Sequence, residues 1–299
     1  GRPVIETMNR MGFDAMTVGN HEFDWGMEAF QDLRKAASFP FLSANILDER
    51  GALLPGVKPY ILIRKKGLKI AVIGITTPET HYATKPENLK GFRVAAVEKV
   101  LPGLIAKLRK EGAGPVVVLS HLGLDEDREL ASKVEGIDLI VGGHSHTEVK
   151  TAVTVGATRI VQDGYYGQQL GVLAIAVDRE SRRVVRCPEK RILRKVKAGP
   201  GDPVDAAVAA VIKTYDDQIR EEFGRAVGET RVDLAKRPFE SNLGNLVCDA
   251  MRWATGADVA VQNNGGIRTT LPRGTISLEQ VFMLLPFDNN LMTLELTGA

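Results

Sequence analysis

Two short runs, Val116-Val117-Val118-Leu119 and Ile137 to Val141, constrain this chain more than any other feature. Both are nearly continuous β-branched and aliphatic residues, so both read as strands covered on two faces, as in a parallel sheet. Helical spacing over Val97 to Lys110 precedes the first run, and a shorter helical pattern over Glu126 to Val134 separates the two. Strand, helix, strand, helix in this order predicts a layered α/β domain. Upstream, Arg2 to Arg10 and Met27 to Ala37 have helical spacing, and Phe13 to Val18 and Phe41 to Ile46 read as strands. Tyr60 to Arg64 and Leu68 to Ile75 flank Lys65-Lys66-Gly67, a hairpin signal.

Beyond Val149 the pattern changes to alternating strands with turns, reaching Ile192, which predicts a second, more antiparallel sheet packed on the first. Lys197 to Pro203 is rich in Gly and Pro and marks a boundary, and Pro203 opens a long helix. The expected division is a first domain over 1–196, a linker and helix over 197–224, and a partial α/β domain over 225–299. In that last part helices are expected at Leu243 to Trp253 and Leu278 to Leu285, and strands at Asp258 to Gln262 and Leu291 to Leu296. The chain starts inside a helical pattern and stops inside a strand-like one, so it reads as a piece cut at both ends.

The 299 residues carry a net charge of +2, with acids and bases interspersed, which leaves no footprint for a nucleic-acid polymer or an anionic membrane. No apolar run reaches the ~18 residues of a membrane span. Cys187 and Cys248 have no metal-motif spacing and read as two unrelated thiols.

Four of the five histidines follow strand-like apolar runs. His21 comes after Met16-Thr17-Val18 across Gly19-Asn20, His121 directly ends the first buried run, and His144 and His146 follow the second across Gly142-Gly143. Ligands of α/β sheets bind beyond the carboxyl ends of strands, so repeated imidazoles there point to a metal. His144 and His146 are two apart, and an extended segment would point both to one side. With the Asn20 carbonyl, the donor set is mixed nitrogen and oxygen, which suits Zn²⁺ or Mn²⁺. His81 reads as a loop histidine and Trp25 as packing.

Gly19-Asn20-His21-Glu22-Phe23-Asp24, Ser120-His121-Leu122-Gly123 and Gly142-Gly143-His144-Ser145-His146 resemble, in order, the motifs of calcineurin-like metallophosphoesterases. Glu240 to Ala250, Asn263-Asn264-Gly265-Gly266-Ile267-Arg268 and Leu285 to Asn290 resemble motifs of the 5′-nucleotidase C-terminal domain. The resemblance implies a layered two-sheet α/β metal domain, a linking helix and a substrate domain. It also implies two divalent ions, a nucleotide substrate and an exported location, periplasmic or extracellular.

Residue by residue, Asn20, His121 and His144 match ligands of one ion and His146 a ligand of the other. His21 matches a histidine near the scissile phosphate, and Asp24 the carboxylate orienting it. Arg268 matches a phosphate grip, with Gly266 in its loop, Asn263 facing the base and Phe287 stacking on it. Each has a plainer alternative: Asp24 as a helix cap, Arg268 as a surface arginine, Asn263 as a turn residue, Phe287 as core. In the family two ions roughly 3.5–4 Å apart share a hydroxide that attacks phosphate in line.

The family's Asp-x-His strand and Gly-Asp segment, which complete the ligand set, are not among these residues, and Phe239 stands where relatives often have Arg. The expected activity of the intact protein is 5′-nucleotidase. Cyclic-nucleotide or nucleotide-sugar hydrolysis is the alternative, as is a piece that binds without catalysing.

Overall fold

The computed structural model describes residues 1–186, 192–197, 199, 201–287 and 289–297. Cys187 lies outside them, and Cys248 is a free thiol. By contacts the chain divides into two units, Gly1–Val208 and Ala209–Ala299, so the division falls inside the helix Ala206–Phe223.

The first unit is built on a six-stranded sheet. Across it run Tyr60–Lys65, Leu68–Thr76, Val116–His121, Leu139–Val141, Thr158–Val161 and Val153–Val155. The four inner strands are parallel, and the hairpin strand Tyr60–Lys65 and Val153–Val155 close the edges antiparallel. The helix Val97–Lys110 buries Val97, Leu101, Ile105 and Leu108, four residues at helical spacing, in the core with Ile73, Val118 and Ile140. The helix Leu124–Lys133 adds Leu130 to the same core. Register places Thr76 beside His121, so these two strands end together.

A second apolar cluster forms around Phe23, Phe30, Phe39 and Phe41, with Val18 and Ile46. Phe23 stacks on Phe30 with ring centroids 5.0 Å apart, and Phe30 meets Phe41 edge-on at 6.0 Å. This cluster seats a short parallel pair, Met16–Thr17 with Phe41–Leu42, against the main sheet. The strand expected over Phe13 to Val18 is thus only two residues long, although Val18 extends the pairing by donating its N–H to the Leu42 carbonyl.

Gly74 explains how closely the pair approaches the sheet. A Cβ at this position would collide with Leu42 Cβ and meet the Leu42 carbonyl carbon and oxygen at 2.6 Å. We expect Gly74→Ala to destabilise this unit by about 1–3 kcal/mol, as overpacking against backbone does. Urea unfolding checks this; wild-type stability in the variant would contradict the contact.

The region after Val149 does not make one second sheet. Thr158–Val161 and Val153–Val155 join the main sheet, because Thr158, Ile160 and Val161 are buried beside Leu139–Val141. The remaining strands form two separate antiparallel pairs, Gln169–Val172 with Ile192–Lys195 and Ala176–Val177 with Val184–Arg186. Asp138 anchors the latter pair, receiving Arg109 and Arg183 at 2.6 Å each and the Val116 N–H at 2.8 Å.

The second unit packs Leu243, Val247, Ile267, Leu271 and Leu284 together. Ser241 caps the helix Asn242–Thr255 by accepting the Gly244 N–H, and Ser277 with Gln280 forms a capping box on Leu278–Leu284. Its strands are Ala226–Thr230 and Gly274–Ser277, paired antiparallel. Asp258 to Gln262 and Leu291 to Leu296 are not strands. Their side chains have strand character, but a strand exists only where a neighbour is hydrogen-bonded, and neither segment pairs with a described strand.

Candidate metal and catalytic site

The carboxyl ends of Met16–Thr17, Leu68–Thr76, Val116–His121 and Leu139–Val141 carry the histidine-bearing loops. A buried polar network fixes their mutual position. Asn45 donates to the Thr76 and Ala95 carbonyls at 2.8 and 3.0 Å and accepts the Thr76 N–H at 2.9 Å. Ser43 bonds the Thr76 hydroxyl at 2.9 Å, and that hydroxyl donates to the Val18 carbonyl at 2.7 Å. The chain is thereby held where it enters Gly19-Asn20-His21.

Asn20 Oδ1 lies 3.0 Å from His121 Nε2. The His144 ring stands beside His121 with centroids 5.0 Å apart. Gly19 runs against the His121 ring; a Cβ there would come within 2.7 Å of Cε1 and Nε2. Glu22 closes this loop by accepting the Gly19 N–H at 2.6 Å, and burial pushes its carboxyl above the usual range. Burial, with the neighbouring His144, His21 and His146, pushes the His121 imidazole down to about 3. It is therefore neutral at physiological pH, the form that offers a lone pair to a metal.

His144 and His146 both have positive φ, 72° and 57°, so their segment is not the extended one expected from their spacing. Left-handed backbone in non-glycine residues is costly and collects at functional sites. The two rings have different neighbours. His144 Nε2 lies 3.2 Å from Glu79 Oε2, while His146 stacks on Tyr165 at 5.1 Å. Among the described residues no group of three His, Cys, Asp or Glu is close enough to hold an ion. The donors present nonetheless suit one: an amide oxygen and a neutral imidazole 3.0 Å apart, with a second imidazole adjoining and a glycine cradle behind.

His21 Nδ1 is 2.8 Å from Asp24 Oδ2. A carboxylate only accepts, so Nδ1 carries the hydrogen. Asp24 does not cap the next helix, Gly26–Ala36, which starts after Trp25 without a side-chain cap. Trp25 is 69% exposed and is not core packing. His81 sits in the short helix Thr80–Ala83 and accepts the Val94 N–H at 3.0 Å.

Asp127 escaped the sequence reading. It is fully buried; Oδ1 accepts from Ser120 Oγ at 2.5 Å, next to His121, and Oδ2 has no hydrogen-bond partner among the described residues. A Cβ on Gly142 would collide with Oδ2, so this carboxyl touches both ligand-bearing loops. Burial raises it from 3.8 to about 7. The folded chain thus keeps a proton that the unfolded chain releases near 3.8. This contribution to stability is complete below that value and is lost as pH rises through 7, by on the order of 4 kcal/mol. The depressed His121 imidazole works in the opposite direction in both proteins, so we expect the stability of metal-free Asp127→Asn relative to metal-free wild type to rise from pH 4 to 8. Urea unfolding across this range checks it; an unchanged pH slope in the variant would contradict it.

In the second unit, Arg268 holds its guanidinium carbon 5.5 Å from the centre of the half-buried Phe287 ring. The loop beneath is pinned. Asn264 donates to the Arg237 carbonyl at 3.0 Å, the Arg268 N–H to the Leu284 carbonyl at 2.9 Å, and Lys236 Nζ to the Ile267 carbonyl at 2.9 Å. Gly266 is buried, and a Cβ there would collide with Gln262 and Asn263. Asn263 is exposed, and Phe239 is fully exposed.

The α/β sheet thus places amide and imidazole donors at its carboxyl edge, beside a paired His and Asp. The family model for calcineurin-like phosphoesterase matches residues 3–148, and that for the 5′-nucleotidase C-terminal domain matches 225–299. The chain belongs to the 5′-nucleotidase family, in which a calcineurin-like phosphoesterase domain is joined to that C-terminal domain. It is 32% identical to the trifunctional nucleotide phosphoesterase protein YfkN of Bacillus subtilis, over 98% of this chain and 23% of the relative. It is also 32% identical to the snake venom 5′-nucleotidase of Gloydius brevicauda, over the whole chain and 57% of the relative. The chain therefore spans little more than half of that enzyme. Among solved structures, a 5′-nucleotidase precursor from Thermus thermophilus superposes with a TM-score of 0.84 at 31% identity, over 96% of this chain and 61% of the other.

Proposed function

We propose that the intact protein hydrolyses nucleoside 5′-monophosphates to nucleoside and phosphate with two divalent ions, Zn²⁺ or Mn²⁺. The observation that carries this is the His21–Asp24 pair, 2.8 Å apart, one residue along from the Asn20–His121 donor pair. The similarity to enzymes named 5′-nucleotidase over the whole chain supports the substrate class.

In this reading Asn20, His121 and His144 hold one ion and His146 contributes to the other. The ions, when bound, supply Lewis acidity and a water acidic enough to ionise near neutral pH. Asp24 fixes the His21 ring through Nδ1, leaving Nε2 to donate a proton to a phosphate oxygen or the departing alkoxide. His21 is 45% exposed, open to a substrate. Arg268 presents a planar fork to phosphate, Gly266 lets the loop backbone come close, Asn263 faces the base and Phe287 stacks on it. Residues 1–196 act as the metal domain, 197–224 as the linker and 225–299 as the substrate domain. The partner is a small nucleotide rather than a nucleic-acid polymer. No helix among the described residues is long and apolar enough to cross a membrane. An exported location, periplasmic or extracellular, fits the venom relatives.

The test is phosphate release by the intact protein from AMP, 2′,3′-cyclic AMP and UDP-glucose with Zn²⁺ or Mn²⁺. AMP should be cleaved fastest; cleavage of the cyclic substrate without AMP would overturn the assignment.

A further inference from the structure

The opposite edge of the main sheet carries a feature the phosphoesterase site does not use. A cavity of about 610 Å³ lies among Arg64, Lys66, Lys69, Lys110, Arg179 and Arg182. Lys69 lies at the start of the strand Leu68–Thr76, whose far end, Thr76, adjoins His121, so the sheet's length separates the cavity from the histidines.

Six cations face one acidic lining residue, Glu111, a formal +5 in a chain whose total is +2. Nearby Asp178 is turned onto Ser181, accepting its Oγ–H at 2.6 Å. Elsewhere, surface cations commonly sit beside acids, as in Arg128–Asp125, Lys213–Asp217 and Arg252–Asp249. Here the side chains of Arg64, Lys66, Lys110 and Arg179 make no ion pair or hydrogen bond with a described residue. Two others brace the walls: Lys69 donates to the Glu111 carbonyl and Arg182 to the Gly112 carbonyl, each at 2.8 Å. Both carbonyls lie just past the C-terminal end of the helix Val97–Lys110, where cations offset the helix dipole. The remaining four therefore surround a braced hollow with uncompensated charge.

We propose that this cavity binds the phosphoryl groups of a polyanion, independently of the catalytic site. Arginine forks match phosphate oxygens in pairs, and lysines add point charge. A free polyphosphate and an anionic phospholipid headgroup present the same chemistry.

The test uses the intact, metal-free protein. Wild type and the triple variant Arg64→Ser, Lys66→Ser, Arg179→Ser are titrated calorimetrically with inorganic tripolyphosphate. Both are also sedimented with phosphatidylglycerol vesicles, with phosphatidylcholine vesicles as control. The three residues are exposed, so the variant should melt at the wild-type temperature. Its binding should be on the order of 100-fold weaker, and wild-type binding should fall with added salt. His121→Ala, in the metal site, should bind as wild type does. Tripolyphosphate binding alone assigns the site to a soluble polyanion, and selective vesicle binding assigns it to a lipid headgroup; either supports the proposal. No binding by wild type in either arm, or equal binding by wild type and the triple variant, overturns it.

Discussion

His121→Ala should strip the intact protein of metal and of phosphate release together. The His121 imidazole is held neutral by burial, well below its ordinary value at about 3, and faces Asn20 Oδ1 at 3.0 Å. A neutral imidazole is expensive to bury without a partner and well suited to a cation, so a ligand is the reading that uses both facts. Gly19 leaves room for the ring and nothing larger, since even a Cβ would press on it. Alanine removes the donor without crowding its surroundings, so fold and stability should survive. Outer-shell changes at metal sites cost 10–100-fold, so loss of a direct ligand should exceed about 100-fold in rate. Metal analysis of the dialysed protein separates the causes: full metal with low activity would contradict the ligand role.

His21→Ala should give the opposite pattern, with metal content retained and rate reduced by about 10²–10⁴, the usual contribution of a positioned general acid. Asp24 takes the Nδ1 hydrogen at 2.8 Å and orients the ring, and in the proposed role the other nitrogen acts on substrate. A proton donor that acts in the transition state should lower kcat while leaving KM for AMP nearly constant. A variant with full kcat would refute the role, and one that loses metal would make His21 a ligand instead.

The sequence made the site legible through residue type at strand ends. Histidine after an apolar run has few uses other than function, and Asn20, His21, His121 and His144 all lie at the edge where α/β sheets bind ligands. The parallel strands were equally readable, because strands buried on both faces show as unbroken aliphatic runs. Three things were not readable. Asp127 looks like any acid in the first turn of a helix, and only its position under Gly142 makes it unusual. Ser43 and Asn45 look like a loop, although they hold Thr76 in place. The spacing of His144 and His146 suggests an extended segment, but both residues lie in the left-handed region. Strand character was also misleading at Asp258 to Gln262, since pairing depends on a neighbour and not on the segment itself.

The central claim is that phosphate release depends on metal held by these loops. The most direct measurement is phosphate release from AMP by the intact protein after chelation and after reloading with Mn²⁺ or Zn²⁺, with His121→Ala in parallel. The account predicts no release from chelated protein, recovery on reloading, and no recovery in His121→Ala. Equal rates with and without metal, or full recovery in His121→Ala, would contradict it.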